Sequence, residues 1–176
     1  MRCFISIDIP EDIKDEIVEI QKDLEEQNLF SGKLTEKENL HLTLKFLGEL
    51  DEQGVKRVRK KLGEIKFKKF KSGLENLGVF TPNLIKIIWI TLAGCGELQK
   101  EIDEKLSSLF GKEERFMSHL TIARVKSVKD KEKFISELGK IDYEKKEFCV
   151  SEFKLKKSTL TEKGPVYEDI EVYNLT

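Results

Sequence analysis

The sequence contains NLHLTLKFLGE at residues 39–49, and a shorter copy of this motif, HLTIARV, follows at 119–125. The chain contains only 2 histidines, and each of them opens the triplet His-Leu-Thr. From composition alone, the second match would arise by chance in roughly one chain in two hundred. Both stretches alternate apolar and polar residues, which predicts that each motif lies on a β-strand.

The alternation of side chains along a strand gives each motif two faces. His41 and Thr43 share one face of their strand, and His119 and Thr121 share one face of theirs. The apolar residues between them point to the opposite face, which is the natural core side. If the two strands face each other, four polar groups therefore converge in one cleft.

Outside the motifs, strand-like segments rich in β-branched apolar residues alternate with segments in which Ile, Leu and Val recur at helical spacing. The predicted strands are 2–8, 40–47, 85–92, 119–125 and 166–172. Residues 67–80 and 147–160 are strand-rich, and the second of these stretches is interrupted once. The predicted helices are 10–27, 52–62, 97–110 and 130–139. Each half thus contains a strand, a helix and a His-containing strand, which indicates an internal duplication. We predict one α+β domain over residues 1–176, with two pseudo-symmetric sheet-and-helix lobes around a central cleft.

Composition excludes several classes of protein. The 32 Lys and Arg nearly balance the 33 Asp and Glu, so the chain is not a globally basic nucleic-acid coat, although a basic patch around a small site stays open. No run of 18 apolar residues predicts a membrane span, and MRCFISIDIPED at the start lacks the pattern of a signal peptide. Cys3, Cys95 and Cys149 contain no CxxC spacing, so we expect buried, reduced thiols in a cytoplasmic protein.

Two histidines and two hydroxyls in one cleft suit phosphodiester chemistry. Imidazole titrates near neutral pH, so one ring can take a proton from water while the other gives a proton to the leaving oxygen. Threonine hydroxyls can hydrogen-bond phosphate oxygens without adding charge. This chemistry needs neither a metal nor a cofactor, and we predict none.

Two other interpretations of the histidines stay open from the residues alone. Each ring could be a core or interface residue that happens to precede Leu-Thr. A zinc site is the second alternative, but it needs third and fourth ligands, and the sequence offers neither an HExxH motif nor a Cys/His cluster.

The motifs HLTL at 41–44 and HLTI at 119–122 resemble the paired HxTx motifs of the 2H phosphoesterase superfamily. With RCFISIDIP at the start and STLTEKGPVY at 158–167, the chain more closely resembles the bacterial and archaeal 2′-5′ RNA ligase family. The resemblance covers nearly the whole chain in the right order. It departs at Ser118, where many members have proline, so the loop entering the second motif strand could be looser.

The resemblance implies a bilobal 2H phosphoesterase-like fold and hydrolysis of an RNA 2′,3′-cyclic phosphate to a 2′-phosphate, with weak 2′-5′ RNA ligase activity. It implies that His41 is the proton donor and His119 the proton acceptor. Thr43 and Thr121 correspond to the phosphate-binding threonines, and Arg124 matches an arginine of the family that could pair with phosphate.

Several further residues have two interpretations. Strand alternation places Arg124 opposite to His119, so it reaches the cleft only if the strand bulges or ends first. Tyr167 could stack on a base or simply pack, and Phe46 and Trp89 are interpreted first as core residues. The stretch Lys66–Lys71 could touch RNA, but a solvated strand face is the simpler interpretation.

The expected partner is RNA with a 2′,3′-cyclic phosphate end, and we expect a monomer because both motifs can meet within one chain. A small cyclic phosphate such as ADP-ribose 1″,2″-cyclic phosphate is an alternative substrate that the same four residues would serve. A nucleotide-binding module without turnover is the third alternative.

Overall fold

A computed structural model describes residues 1–176 as nine strands and four α-helices. The strands are β1 (Arg2–Asp8), β2 (Phe30–Leu34), β3 (His41–Glu49), β4 (Phe70–Val79), β5 (Ile87–Leu92), β6 (His119–Val128), β7 (Glu147–Val150), β8 (Glu152–Thr161) and β9 (Gly164–Asn174). The helices are α1 (Glu11–Gln27), α2 (Glu52–Gly63), α3 (Gly96–Lys105) and α4 (Lys131–Leu138). The predicted α+β class and the two sheet-and-helix lobes are confirmed.

The strands form two antiparallel sheets that exchange strands between the halves of the chain. The first sheet has the order β3-β1-β8-β9, and the second has the order β2-β6-β5-β4-β7. Thus β8 from the second half pairs with β1, and β4 from the first half pairs with β5. Neither lobe can therefore be cut from the chain without losing a strand.

The helices cross between the halves in the same way. α1 follows a strand of the first sheet but packs against β6 of the second, and α3 follows a strand of the second sheet but packs against β3 of the first. Pro10 is the N-cap residue of α1, the first turn of the helix carries acidic residues, as the helix dipole favours, and the helix buries Ile13 and Ile17 on its inner face. The two motif strands, β3 and β6, contact each other where the sheets meet.

Three secondary-structure predictions differ from the structure. The sequence did not predict β2, whose residues are mostly exposed and include Gly32. α3 ends at Lys105 instead of residue 110, because the weak helix formers Ser107 and Ser108 lie in the series of turns that starts at the buried Leu106. Lys66–Lys69 precede β4 as an exposed connection rather than forming part of a strand.

The buried-cysteine prediction is wrong for one of the three thiols. Cys3 and Cys95 are buried in the core, but Cys149 lies exposed on β7 at the edge of the second sheet. None of the four helices combines the length and hydropathy needed to cross a membrane.

Gly32 gives a test of how β2 attaches to the second sheet. A Cβ atom at this position would lie 2.1 Å from the carbonyl oxygen of Arg124 on β6. We expect Gly32→Ala to lower the free energy of unfolding by about 1–3 kcal/mol, because the two backbones must separate.

Gly63→Ala is the matched control for this prediction, because a Cβ there meets nothing within 4 Å. It should be neutral or stabilise by about 0.5 kcal/mol. Urea denaturation of both variants measures the difference, and equal stability of the two would show that β2 is not held closely against β6.

Candidate active site

All five residues predicted for the site line one cleft between the two sheets, with a volume of about 380 Å³. They are His41, Thr43, His119, Thr121 and Arg124. The leucines that follow each histidine, Leu42 and Leu120, are fully buried on the opposite faces, as the alternation predicts. The strands therefore place both His-Thr pairs in the cleft.

The two histidine rings are oriented by the same backbone contact. Nδ1 of His41 lies 2.7 Å from the carbonyl oxygen of Asn39, and Nδ1 of His119 lies 2.9 Å from that of Met117. A carbonyl oxygen can only accept, so Nδ1 carries the hydrogen in each ring and Nε2 is left for chemistry. These contacts two residues before each histidine could not be inferred from the sequence pattern.

The loop that enters the second motif strand is well held despite Ser118. The backbone N–H of His119 donates to the same Met117 carbonyl at 2.8 Å. Leu92 on β5 also donates its N–H to the carbonyl of Ser118 at 3.0 Å. Hydrogen bonds thus hold the backbone on both sides of Ser118.

His41 lies in an enclosed, aromatic environment. Its ring centroid is 5.0 Å from that of Tyr167 and 5.2 Å from that of Phe4, and its Nε2 is 3.0 Å from the hydroxyl of Thr43. Burial lowers the pKa of His41 below its usual value, and the hydrogen bond to the Asn39 carbonyl opposes this only partly. The neutral ring is therefore favoured in the free protein.

His119 has a single aromatic neighbour. Phe80 meets its ring edge to face at a centroid distance of 4.9 Å, and Phe80 itself is half exposed at the mouth of the cleft. Phe80 also contacts Trp89, which the sequence interpretation placed in the core. Trp89 is instead partly exposed, because it is paired with Thr121 and shares the cleft face of its sheet.

A β-bulge follows each motif and explains the position of Arg124. The pairing of β6 with β5 skips Ile122, so Ile122 and Ala123 both point to the core. Alternation then restarts out of phase, and Arg124 returns to the face of His119 and Thr121. The bulge that the sequence analysis set as a condition for this arginine is present.

The same displacement occurs in the first lobe and overturns the core interpretation of Phe46. The pairing of β3 with β1 skips Leu44, so Leu44 and Lys45 both point inward. Phe46 therefore turns outward to the cleft, with 75% of its surface exposed. Phe46 and Arg124 occupy equivalent positions in the two lobes, five residues after their histidines.

The cleft carries cations that have no carboxylate partner. Arg124 and Arg115 line it, and neither forms an ion pair within 4.0 Å, whereas Lys33 is paired with Glu36 at 2.7 Å. The sequence reasoning missed Arg115, which lies in the irregular connection between α3 and β6 and had no pattern to reveal it. Lys66–Lys71 do not line the cleft. Two unpaired guanidinium groups around two His-Thr pairs suit an anionic substrate.

Tyr167 closes one side of the cleft. It packs edge to face on both His41 and Phe4, so its packing role is clear from the structure. Burial raises the pKa of the Tyr167 phenol, while the positive charge of Arg124 opposes that shift. No group of three or more His, Cys, Asp or Glu side chains comes together as a potential metal site.

The fold and the paired motifs define a phosphoesterase of the 2H class, and comparison with known proteins agrees. The family model described as LigT like Phosphoesterase matches residues 7–89 and 93–167. A protein of Methanocaldococcus jannaschii named RNA 2′,3′-cyclic phosphodiesterase is 44% identical over 175 residues, covering 97% of this chain and 98% of the relative. A Thermotoga maritima protein of the same name is 36% identical, covering 96% of this chain and 92% of its own.

Solved structures show the same architecture. TT0787 of Thermus thermophilus superposes with a TM-score of 0.80 at 26% identity, over 99% of this chain and 97% of that chain. The apo form of Escherichia coli LigT gives a TM-score of 0.80 at 21% identity, over 99% and 97% of the two chains, and shows the fold. This chain therefore belongs to the LigT-like phosphoesterase family.

The enclosure of His41 leads to a prediction for its titration. We expect NMR to show its imidazole titrating below the ordinary value of about 6.5, since burial disfavours the charged ring. Inorganic phosphate in the cleft should raise that pKa, because the anion favours the protonated form. A His119→Gln variant assigns the two ring signals, and a His41 pKa at or above 6.5 in the free protein would contradict the prediction.

Proposed function

We propose that this protein is an RNA 2′,3′-cyclic phosphodiesterase that opens the terminal ring at its 3′ oxygen and leaves a 2′-phosphate. The observation that carries the proposal is the pair of equivalent histidines lining one cleft, each with Nδ1 bound to a backbone carbonyl. Nε2 of His41 contacts the hydroxyl of Thr43, the threonine of its own motif. The names of the full-length relatives at 44% and 36% identity support the same substrate.

In the proposed reaction His119 acts as the general base. Its neutral Nε2 takes a proton from a water molecule as the water oxygen attacks phosphorus. His41, in its protonated form, gives the Nε2 proton to the 3′ oxygen as the P–O3′ bond breaks. Each proton transfer contributes typically 10²–10⁴ to the rate. Exchange with solvent then returns His119 to its neutral form and His41 to its protonated form.

The lowered pKa of His41 bears directly on this role. The neutral ring predominates at pH 7 in the free protein, so the acid must be charged when substrate binds. The negative phosphate supplies this, since an opposite charge nearby favours the protonated imidazole. The arrangement couples the protonation of the acid to occupancy of the cleft.

Thr43, Thr121 and Arg124 are the proposed phosphate ligands. The threonine hydroxyls lie on the same strand faces as the histidines, and Arg124 reaches that face through its bulge. A guanidinium group can contact two phosphate oxygens at once and neutralise charge that develops during attack.

The nucleoside is proposed to rest against the aromatic side of the cleft. Phe46 offers an exposed ring on the strand of His41, and bases stack on such rings without strong sequence preference. Arg115 also lines the cleft, and we expect it to contact a phosphodiester further along an RNA strand, which a mononucleotide lacks. These two residues favour an RNA end over a small cyclic phosphate.

The proposal also covers ligation, assembly and location. If an RNA 5′-hydroxyl replaces water, the same ring opening forms a 2′-5′ bond, which gives the weak ligase activity. We expect a cytoplasmic monomer, because one chain supplies both motifs. We expect the reaction to require no metal, because two imidazoles supply both proton transfers.

The direct test is incubation of an oligoribonucleotide ending in a 2′,3′-cyclic phosphate with the protein in EDTA. We expect hydrolysis to a 2′-phosphate that resists a 3′-specific phosphatase and is identified by phosphorus NMR. A matched mononucleoside 2′,3′-cyclic phosphate should turn over with a lower kcat/KM, because it reaches neither Arg115 nor an extended stacking surface.

Other outcomes would identify the alternatives. A preference for the small cyclic phosphate would favour that second substrate class, and binding without turnover would favour the non-catalytic module. A 3′-phosphate product would show that the ribose binds in the cleft in the opposite orientation. Loss of activity in EDTA, restored by zinc or manganese, would refute two-histidine catalysis.

The two histidines should act as a unit. We expect His41→Asn and His119→Asn each to lower kcat by about 10² or more, and the double variant to lose little beyond the worse single one. Binding of the 2′-phosphate product, measured by calorimetry, should persist in each variant because the threonines and Arg124 remain. Fully additive losses in kcat would mean that the two rings act in separate steps.

A further inference from the structure

Lys45 is a charged residue in the core, placed there by the bulge of β3. It is only 7% exposed, and its Nζ lies 2.5 Å from Oδ1 of Asp103 on α3, which is 5% exposed. The same Nζ donates to the carbonyl of Gly111 at 2.8 Å. Burying a pair of charges is costly unless hydrogen bonds satisfy both partners, so the pair has a role to be explained.

The second oxygen of Asp103 is also engaged. Oδ2 accepts a hydrogen bond from the backbone N–H of Glu113 at 2.6 Å. The ion pair therefore binds the chain at two points, the carbonyl of Gly111 and the N–H of Glu113. These points lie in the irregular connection between α3 and β6, which contains no strand of its own.

This connection leads directly into the site. Arg115, Phe116 and Met117 line the cleft, and the Met117 carbonyl receives both the Nδ1–H and the backbone N–H of His119. The position of that carbonyl fixes which nitrogen of His119 carries the hydrogen and where Nε2 points. The attachment at 111–113 lies four residues before the carbonyl that orients the ring.

The first half of the molecule has a contact equivalent to the Lys45–Asp103 pair, made by an uncharged amide side chain instead of an ion pair. Gln21 on α1 is buried, and its Nε2 donates to the carbonyls of Thr35 and Ile122, both at 2.9 Å. Thr35 lies in the connection that leads to His41, and Ile122 is the bulge residue of β6. Gln21 thus joins the connection before His41 to the bulge that follows His119. Asp103 joins the connection before His119 to the bulge that follows His41.

We propose that Lys45 and Asp103 are positioning residues for His119, holding the 111–117 segment so that the Met117 carbonyl keeps the ring in its Nδ1–H form. The inference rests on the proposed function for its effect on turnover, but not for its effect on the ring. The sequence has 2 histidines, so the state of each ring can be observed separately.

The test removes both charges at once with Lys45→Met and Asp103→Leu, because a buried pair replaced by apolar residues of similar size generally still folds. Long-range proton–nitrogen NMR of the imidazoles should show that His119 loses its pure Nδ1–H signature while His41 keeps its own. We expect kcat on cyclic-phosphate RNA to fall about tenfold, since a small displacement of a catalytic group is enough for such a loss.

The matched control is the ion pair between Lys105 on the same helix and Glu64, at 3.5 Å, removed by Lys105→Gln with Glu64→Gln. It should leave both rings and kcat unchanged. A folded Lys45/Asp103 double variant with wild-type His119 signals and kcat would overturn the proposal. An equal change in the His119 signals and kcat of the control variant would also overturn the proposal, because any disturbance of α3 would then have the same effect.

Asp103→Asn decides the question if the double variant does not fold. The amide that replaces the carboxylate has one oxygen, which can accept a hydrogen bond from Lys45 or from the N–H of Glu113 but not from both. One attachment of the connection is therefore lost. A change in the imidazole NMR signals that is confined to His119 supports the proposal, and unchanged His119 signals contradict it. If the wild-type protein does not hydrolyse the RNA, the proposed function fails while the ring spectra still decide the positioning role.

Discussion

Both sides of the cleft depend on a β-bulge placed directly after each His-Leu-Thr motif. Without the bulges, strict alternation would send Phe46 and Arg124 to the core side of their sheets. The extra residues Leu44 and Ile122 shift the phase by one, so Phe46 and Arg124 face the cleft in place of Lys45 and Ala123. A bulge is a local change in pairing, yet here it determines which side chains can meet a substrate.

The exchange of strands and helices between the halves makes the two sides of the cleft interdependent. β8 completes the first sheet and β4 the second, while α1 and α3 each pack on the sheet of the other half. One cluster of 35 buried hydrophobic residues runs through both lobes. Interiors packed in this way transmit displacements and resist gradual deformation, so the distance between the two motif strands is set by the whole core.

The sequence predicted the parts of this structure that follow from periodicity. The apolar faces of α1 and β5, and the placement of each His-Thr pair on one strand face, follow from spacing alone. The missed features depend on pairing between distant segments, since β2 is held by backbone bonds to β6 and the bulges arise only when two strands are aligned. Phe46 therefore could not be placed from its motif, nor Arg115 from a connection without regular structure. The role of Lys45 was equally hidden, since a lysine in a strand is normally exposed.

The two lobes are equivalent in backbone but not in environment, and this difference gives the cleft a direction. His41 lies between Phe4 and Tyr167, where burial lowers its pKa, whereas His119 meets only the partly exposed Phe80. An imidazolium with a lowered pKa is a stronger acid and gives up its proton more readily to a leaving oxygen. The asymmetry of packing therefore supports the role proposed for His41 at the leaving oxygen, although the motifs themselves are the same.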